Sequence, residues 1–443
     1  MKIINRAVED KHIDKFFLLL ILMGLSLYYI GIVNMYVWVL VLILRLLKCN
    51  RVEIGFFCIL VGSSIFGRIF AIPELNILMT IILLSAGMLL LFKDIVRVVV
   101  SYKHSVFFMI LILLFFLIEF YKGPLNDYAY EKIGKASIRL FLWTTTFLIF
   151  SETKKISCNR VGLAFLILAI FYLSQSSQMY GIRPSSLLDM DFFRNYTMAE
   201  GRDENGTHVA NYHSLAYLSL AGTVFWTIQK DFFSKAIKSN TVLLIGMSFW
   251  IIAISGARQG IFVFGIVTIL RYVVSRKRFF SVVNIFYTAI LALFFLLIVS
   301  LIGSSYFETA LDSEGDVSSR LHRDTTTPFL VMAINPLYGV GFGGYPIYGN
   351  KDYPHNFFIE MICETGFIGL SILCLIFIIF FITNMNKNYL KYLTNNNSYL
   401  FVLFVLFFSR AQVSGDLTTS VGFMAILLSF ISVRTPKILC KNA

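Results

Sequence analysis

Apolar stretches of about 16–22 residues follow one another along the whole chain, and short polar or charged segments separate them. A helix of about 20 apolar residues spans the hydrocarbon core of a bilayer with all its backbone groups satisfied. The pattern therefore predicts an all-α, polytopic helical membrane protein with about fourteen transmembrane helices. The predicted spans are residues 16–32, 34–47, 54–72, 75–92, 105–121, 137–151, 161–176, 207–228, 241–256, 260–275, 282–302, 357–382, 398–411 and 418–433.

Composition places the chain in the same class. Hydrophobic residues make up 58% of it and charged residues only 14%, whereas a soluble domain has about 25% charged residues. The first apolar run begins near Phe16 and has no small-residue cleavage site behind it, so we expect no cleavable signal peptide. We expect residues 1–443 to form a single integral membrane domain.

Basic residues orient the predicted spans. Most of the 38 Lys and Arg residues fall near the termini and in every second connection, and most of the 25 acids fall in the others. The positive-inside rule then places both termini in the cytoplasm and the two long loops, approximately residues 177–206 and 303–354, outside. The net charge of +13 is thus a topology signal, and we expect no nucleic-acid partner. No cysteine falls in an outer loop and none shows metal-ligand spacing, so we expect no metal site.

Arginine outnumbers lysine on the predicted outer side, whereas lysine predominates inside. The guanidinium group grips phosphate with a planar pair of donors, so this bias indicates a phosphate or pyrophosphate ligand at the outer face. The alternative is pairing with the outer acids. The candidates in the two long loops are Arg194, Arg202, Arg320 and Arg323.

Arg258 lies in a short break between two predicted spans, in the segment Ser255-Gly256-Ala257-Arg258-Gln259-Gly260. The small residues let another group approach, and a helix that starts near Gly260 would point free amides outward, which suits an anion. The alternative is a tight turn with an arginine that reaches to the membrane surface.

The larger loop carries two further features. Residues 318–334 can form an amphipathic helix that lies on the bilayer, interrupted at Pro328. Four glycines then allow a tight backbone path, and no nucleotide-binding pattern surrounds them. These glycines are Gly339, Gly341, Gly343 and Gly344.

His355 stands at the start of the twelfth predicted span, followed by Asn356. An imidazole titrates near neutral pH and is a candidate general base. Glu360 and Glu364 are four residues apart and share a helix face below it. Carboxylates inside a span orient a functional group or pair with a cation, and Arg258 or Arg410 would be suitable partners. Pairing is the favoured role for both.

Three segments, taken in order, resemble the O-antigen polymerase and ligase superfamily of bacterial envelope polysaccharide synthesis. The first is the small-residue–arginine turn at Arg258. The second is Arg320 followed by the glycine-rich run that includes Gly341. The third is His355-Asn356 with Gly366 and Gly369, which is similar to the family's His-Asn, nine residues, Gly-x-x-Gly pattern.

The resemblance implies an inverting, metal-independent glycosyltransferase without a cofactor, at the periplasmic face of the bacterial inner membrane. Its donor and acceptor would be glycans on undecaprenyl pyrophosphate, and a separate co-polymerase would regulate chain length. The resemblance assigns pyrophosphate binding to Arg258 with Arg202 or Arg194, and base catalysis to His355. Arg320 and Arg323 join the candidate substrate site, and Asn356, Glu360, Gly341 and Gly366 support it.

The acceptor separates two enzymes of this class. A polymerase transfers the growing chain to the next lipid-linked repeat unit, whereas an O-antigen ligase transfers it to the lipid A core. About fourteen spans and an acidic outer stretch, Glu308 to Asp316, favour the polymerase. A lipid-linked oligosaccharide flippase is the alternative from another class of protein. It would predict internal repeats and charges deep in several spans. The sequence shows no internal repeat, and its ionisable residues crowd the predicted outer ends of the spans instead.

Overall fold

A computed structural model describes residues 32–47, 50–64, 73–152, 157–179, 212–227, 241–255, 257, 260–266, 327–349, 354, 356–384, 398–413 and 417–432. Throughout these residues the regular secondary structure is helical. The all-α class predicted from the apolar pattern is therefore confirmed.

The helices are numbered here in chain order. They are α1 Ile32–Leu46, α2 Arg51–Gly62, α3 Pro73–Ser101, α4 Lys103–Lys122, α5 Asp127–Glu152, α6 Cys158–Met179, α7 Tyr212–Thr227, α8 Thr241–Ile254, α9 Thr327–Ile334, α10 Tyr345–Tyr348, α11 Phe357–Asn384, α12 Ser398–Val413 and α13 Leu417–Ser432. Residues 260–266 are also helical.

Five stretches of the described helices are long and apolar enough to cross a membrane, which makes the chain a multi-pass membrane protein. They are Ile77–Ser101, Lys103–Lys122, Asp127–Ser151, Arg160–Ser177 and Phe357–Ile382. Each coincides with a predicted span. The total of about fourteen stays a prediction, as does the sidedness. The predicted span at 282–302 lies outside the described residues, and so does the span at 16–32 except for its last residue.

Three predicted boundaries were wrong. Helix α2 ends at Gly62, ten residues before the predicted end at residue 72, and turn residues follow it. In the other two cases the helix is longer than predicted. Helix α5 begins at Asp127, ten residues before the predicted start at residue 137, and α3 continues to Ser101, beyond the predicted end at residue 92. Charged residues caused these two errors, because a charge counts against a span in a hydropathy profile. The helices accommodate these charges by pairing, as Glu131 does with Lys135 and Asp94 with Arg97.

The chain divides into two compact units, residues 1–91 with 155–292 and residues 92–154 with 293–443. In the first unit, α6 packs on α7 and α1, and α7 packs on α8. Phe165 of α6 stacks on Phe225 of α7 with the ring centroids 5.6 Å apart. The hydroxyl of Ser219 donates to the carbonyl of Ser248 across the α7–α8 contact.

A buried ion pair ties α2 to α6 in the first unit. The Glu53 carboxylate is fully buried and accepts from the Arg160 side chain through both oxygens and from the Ser157 amide at 2.8 Å. Arginine matches a carboxylate with two parallel donors, so this contact fixes the geometry of the two helices.

The second unit contains α4, α5, α11, α12 and α13. Helix α13 packs along α5 and against α12, and α11 packs on α4. Hydroxyl-to-carbonyl bonds join the helices, as from Ser429 to Thr144 at 3.1 Å and from Ser105 to Leu428 at 3.0 Å. Arg139 of α5 donates to the backbone carbonyl and the hydroxyl of Thr418 at the start of α13.

Replacing Arg160 with alanine should destabilise the protein by about 3 kcal/mol, because it leaves a buried carboxylate without its cation. The measurement is the thermal midpoint for loss of monodisperse protein in detergent. Lys135→Ala is the control, since the Lys135–Glu131 pair is exposed and such pairs are worth about 0–1 kcal/mol. Equal midpoints for the two variants would contradict the importance of the Glu53 pair.

Candidate functional site

The glycine-rich run follows helix α9. The described part of the predicted amphipathic helix, Thr327–Ile334, is helical and contains Pro328. Residues 318–326 of that prediction lie outside the described part. Beyond α9, the Gly339 amide donates to the Asn335 carbonyl at 2.8 Å and closes a turn.

The next residues, 339–344, are here called the glycine loop. Gly339, Gly341 and Gly343 have φ angles of 69°, 77° and 76°. A side chain at Gly341 would collide with the backbone of Gly123 at the end of α4. Glycine is needed there for both the left-handed backbone and the close approach, so the predicted tight path is confirmed.

Helix α11 is broken at Gly366, which has φ 67° and ψ −175°. This region of backbone space is open essentially only to glycine. Such a break leaves two backbone carbonyls before it and two backbone amides after it without their helical partners. These groups need other partners, because the surroundings are apolar.

The loop and the turn before it supply those partners. The amides of Val340 and Gly341 donate to the carbonyls of Cys363 and Glu364 at 3.0 and 2.7 Å. In the other direction, the amides of Phe367 and Ile368 donate to the carbonyls of Pro336 and Leu337 at 3.0 and 3.1 Å. The segment therefore completes the hydrogen bonding of the broken helix on both sides.

The glycine loop also binds a carboxylate of its own chain. One Glu364 side-chain oxygen accepts from the Gly343 amide at 3.1 Å, and the Tyr345 amide also bonds to this carboxylate. The remaining loop amides are used as well, since Phe342 donates to Glu119 and Gly344 to Gly341. The loop has the backbone geometry of an anion-binding nest, and the anion that occupies it is the Glu364 carboxylate.

Lys132 of α5 holds the two glutamates of α11. Its ammonium nitrogen lies 2.5 Å from a carboxylate oxygen of Glu360 and 2.5 Å from one of Glu364. The side chains of all three are at most 1% exposed. The Phe342 and Tyr128 rings lie 5.6 and 5.8 Å from the same nitrogen.

The pairing of the glutamates was anticipated, but Lys132 was not named as their partner. A lysine inside a span is itself a signal of function or pairing. The signal was missed because the predicted span began at residue 137, after Lys132.

Two further elements hold the glycine loop in place. The Phe342 amide donates to the Glu119 carbonyl of α4 at 3.2 Å, and the Glu119 side chain pairs with Lys122. The Asn126 side chain donates to the Gly343 carbonyl and accepts from the Ala129 amide at the start of α5. The loop is thus attached to α4, α5 and α11.

Asn356 begins α11 and anchors it to α12. Its side-chain oxygen accepts from the Phe358 and Ile359 amides at 2.9 and 3.2 Å, as an N-cap residue does. Its amide nitrogen donates to the backbone and side-chain oxygens of Gln412 at 3.1 and 3.2 Å. Gln412 had no signal in the sequence that would have linked it to this site.

The predicted site residues have unequal outcomes. The structure brings Asn356, Glu360, Gly341 and Gly366 together in the second unit. His355 lies outside the described residues, as do the predicted phosphate-binding arginines Arg194, Arg202, Arg258, Arg320 and Arg323. His355 directly precedes the cap residue Asn356 in the chain.

Residues around Arg258 are described in the first unit. The Gly260 amide donates to the Ala257 carbonyl at 2.7 Å, and the chain is helical from residue 260. The predicted helix start near Gly260 is confirmed. Within the described part of the chain, no group of three or more His, Cys, Asp or Glu side chains is arranged to hold a metal ion.

These features define a multi-pass helical membrane protein with a broken helix clasped by a glycine loop. Residues 242–374 match the model of a family described as O-antigen ligase. The matched range contains the Arg258 turn, the glycine loop and the His355 to Gly369 stretch. The resemblance drawn from those motifs is thereby confirmed over this range. A comparison with curated proteins gives no match.

Replacing Gly366 with alanine should destabilise the second unit by about 3 kcal/mol and abolish function. The new Cβ would collide with the Leu337 carbonyl in a backbone conformation that alanine resists. Gly134→Ala in α5 is the matched control, because nothing lies near its Cβ and the change favours a helix by about 0.5–1 kcal/mol. Thermal midpoints in detergent compare the two, and an unchanged Gly366→Ala protein would refute the clasp.

Proposed function

We propose that this protein polymerises glycan repeat units carried on undecaprenyl pyrophosphate into O-antigen or a related surface polysaccharide. The reaction is an inverting, metal-independent glycosyl transfer at the periplasmic face of the bacterial inner membrane. The observation that carries the proposal is the match of residues 242–374 to the O-antigen ligase family, which encloses the three motifs in the expected order. The spanning helices support a lipid-borne substrate.

In the proposed reaction, His355 removes the proton from an acceptor sugar hydroxyl. The acceptor oxygen attacks the anomeric carbon of the donor glycan from the face opposite the leaving group. The bond from that carbon to the pyrophosphate oxygen breaks, and its electron pair leaves with undecaprenyl pyrophosphate. A base within reach of the hydroxyl and fixed positive charge at the leaving group are what this chemistry needs.

Arginine side chains supply the fixed charge in this proposal. Arg258 acts with Arg202 or Arg194, and Arg320 and Arg323 are further substrate ligands. The saturated glycine loop supports this assignment, because its amides are already bonded within the protein. Side chains are left to bind the pyrophosphate, and arginine is the side chain best shaped for it.

The lipid-linked repeat unit is the proposed acceptor, which makes the protein a polymerase. A chain-length-regulating co-polymerase is its expected partner. The acidic stretch from Glu308 to Asp316 would face a phosphorylated lipid A core unfavourably. The ligase is the second candidate, since the matched family is described by that reaction.

Deleting the gene in the native host should distinguish the candidates on a lipopolysaccharide gel. A polymerase leaves the core with one repeat unit and no ladder. A ligase leaves bare core, with polymer still on its lipid carrier. An unchanged ladder would reject both O-antigen roles and direct the test to capsule or exopolysaccharide.

Replacing His355 with alanine should lower polymer formation by about 10²–10⁴-fold, because the general base is lost. Translocated lipid-linked repeat units should still accumulate at the outer face. His104→Ala is the matched control, since His104 is exposed at the start of α4 and should leave the ladder intact. Loss of translocation in the His355 variant would instead indicate a flippase.

A further inference from the structure

The buried cluster of Lys132, Glu360 and Glu364 joins two helices that are more than 200 residues apart in the chain. Lys132 comes from the first third of α5, and the glutamates come from one face of α11. The proposed chemistry is assigned to other residues, so a role for the cluster would be exerted through the elements that it joins.

One branch of the cluster leads to the glycine loop. The Glu364 carboxylate takes the Lys132 ammonium on one oxygen and the Gly343 amide on the other. Its backbone carbonyl takes the Gly341 amide. Lys132 thus fixes the carboxylate around which the loop is wrapped.

The other branch leads to the start of α11. Glu360 lies in the first turn of the helix, and its amide donates to the Asn356 carbonyl at 2.9 Å. Asn356 caps the same turn and binds Gln412. The residue before Asn356 is His355, so an ammonium that holds Glu360 also holds the turn that presents His355.

Contact with two carboxylates four residues apart determines the rotation of α11 about its axis. Residues at this spacing are neighbours on one face of a helix. An ammonium that contacts both carboxylates therefore orients this face of α11 toward α5. Buried ion pairs add little net stability compared with apolar side chains of the same volume, and their documented use is to fix register.

We propose that Lys132 is a positioning residue that sets the rotation and depth of the first turn of α11, and through that turn the position of His355, which directly precedes it in the chain. This inference rests on the proposed function, because the step that Lys132 would assist is the proposed glycosyl transfer. Lys132 itself transfers no proton and binds no substrate in this account.

The test compares Lys132→Met with wild type in purified, detergent-solubilised full-length protein. The lipid-linked repeat unit serves as donor and acceptor, and kcat and KM are measured separately. We expect kcat to fall about 100-fold, because a displacement of about 1 Å at the reacting groups costs that much. KM should stay near the wild-type value, since Lys132 is not among the proposed phosphate ligands.

Ser429→Ala is the control for a merely structural effect. It removes a buried hydrogen bond to α5 at the Thr144 carbonyl, which lies twelve residues, about 18 Å along the helix, from Lys132. It should lower the thermal midpoint and leave kcat unchanged per folded molecule. If Lys132→Met behaves in the same way, with kcat unchanged per folded molecule, the inference is overturned.

A second variant covers the case in which Lys132→Met does not fold. Glu360→Gln keeps the volume and the Lys132–Glu364 contact but replaces the charged pair between Lys132 and Glu360 by a weaker hydrogen bond to a neutral side chain. We expect kcat to fall about tenfold, which corresponds to a displacement smaller than in Lys132→Met. A wild-type kcat in Glu360→Gln would overturn the inference.

Hydrogen exchange gives a readout that needs no activity. Amides of residues 339–345 should exchange faster in Lys132→Met than in Ser429→Ala, because the loop loses the fixed Glu364 carboxylate. Equal exchange in the two variants would count against Lys132 as the anchor. If the wild-type protein makes no product from lipid-linked repeat units, the proposed function fails, and exchange alone decides whether Lys132 holds the loop.

Discussion

The backbone at Gly366 imposes the constraint on which the second unit depends. A break in a spanning helix exposes amides and carbonyls that water cannot reach, and each one left unpaired costs roughly 2–7 kcal/mol. Residues 336–341 satisfy four of these groups, two carbonyls before the break and two amides after it. The broken helix and the glycine loop therefore require each other, and neither would persist alone in an apolar environment.

The same hydrogen bonds explain why the amides of the glycine loop are not available to bind a phosphate. A glycine-rich run with left-handed residues is the usual geometry for holding phosphate through backbone amides. Here the amides are bonded to Cys363, Glu364, Glu119 and Gly341, and the bound anion is the Glu364 carboxylate. Under the proposed function, recognition of the pyrophosphate is therefore assigned to side chains, in keeping with the excess of arginine over lysine in the predicted outer loops.

Local patterns predicted the parts of this arrangement that local physics determines. Apolar runs predicted the long helices, the four-residue spacing put Glu360 and Glu364 on one face, and the glycines predicted the tight path of residues 339–344. Local patterns could not predict which distant residues bind to these groups. Lys132 meets Glu364 across 232 residues of sequence, and Asn356 meets Gln412 across 56. Nothing near either residue encodes which distant helix will bring its partner.

The spacing between Asn356 and Gly366 is constrained by contacts at both of its ends. Asn356 is held at one end by Gln412 and Gly366 at the other by the loop. The nine-residue helical segment between them is therefore anchored at both ends, which lie ten residue steps or about 15 Å apart. One inserted residue would turn one end by about 100° relative to the other and lengthen the segment by about 1.5 Å. Either the cap or the clasp would then be lost, and Glu360 and Glu364 would no longer both face Lys132. The spacing is therefore a requirement of two anchors and one ammonium, before any chemistry at His355 is considered.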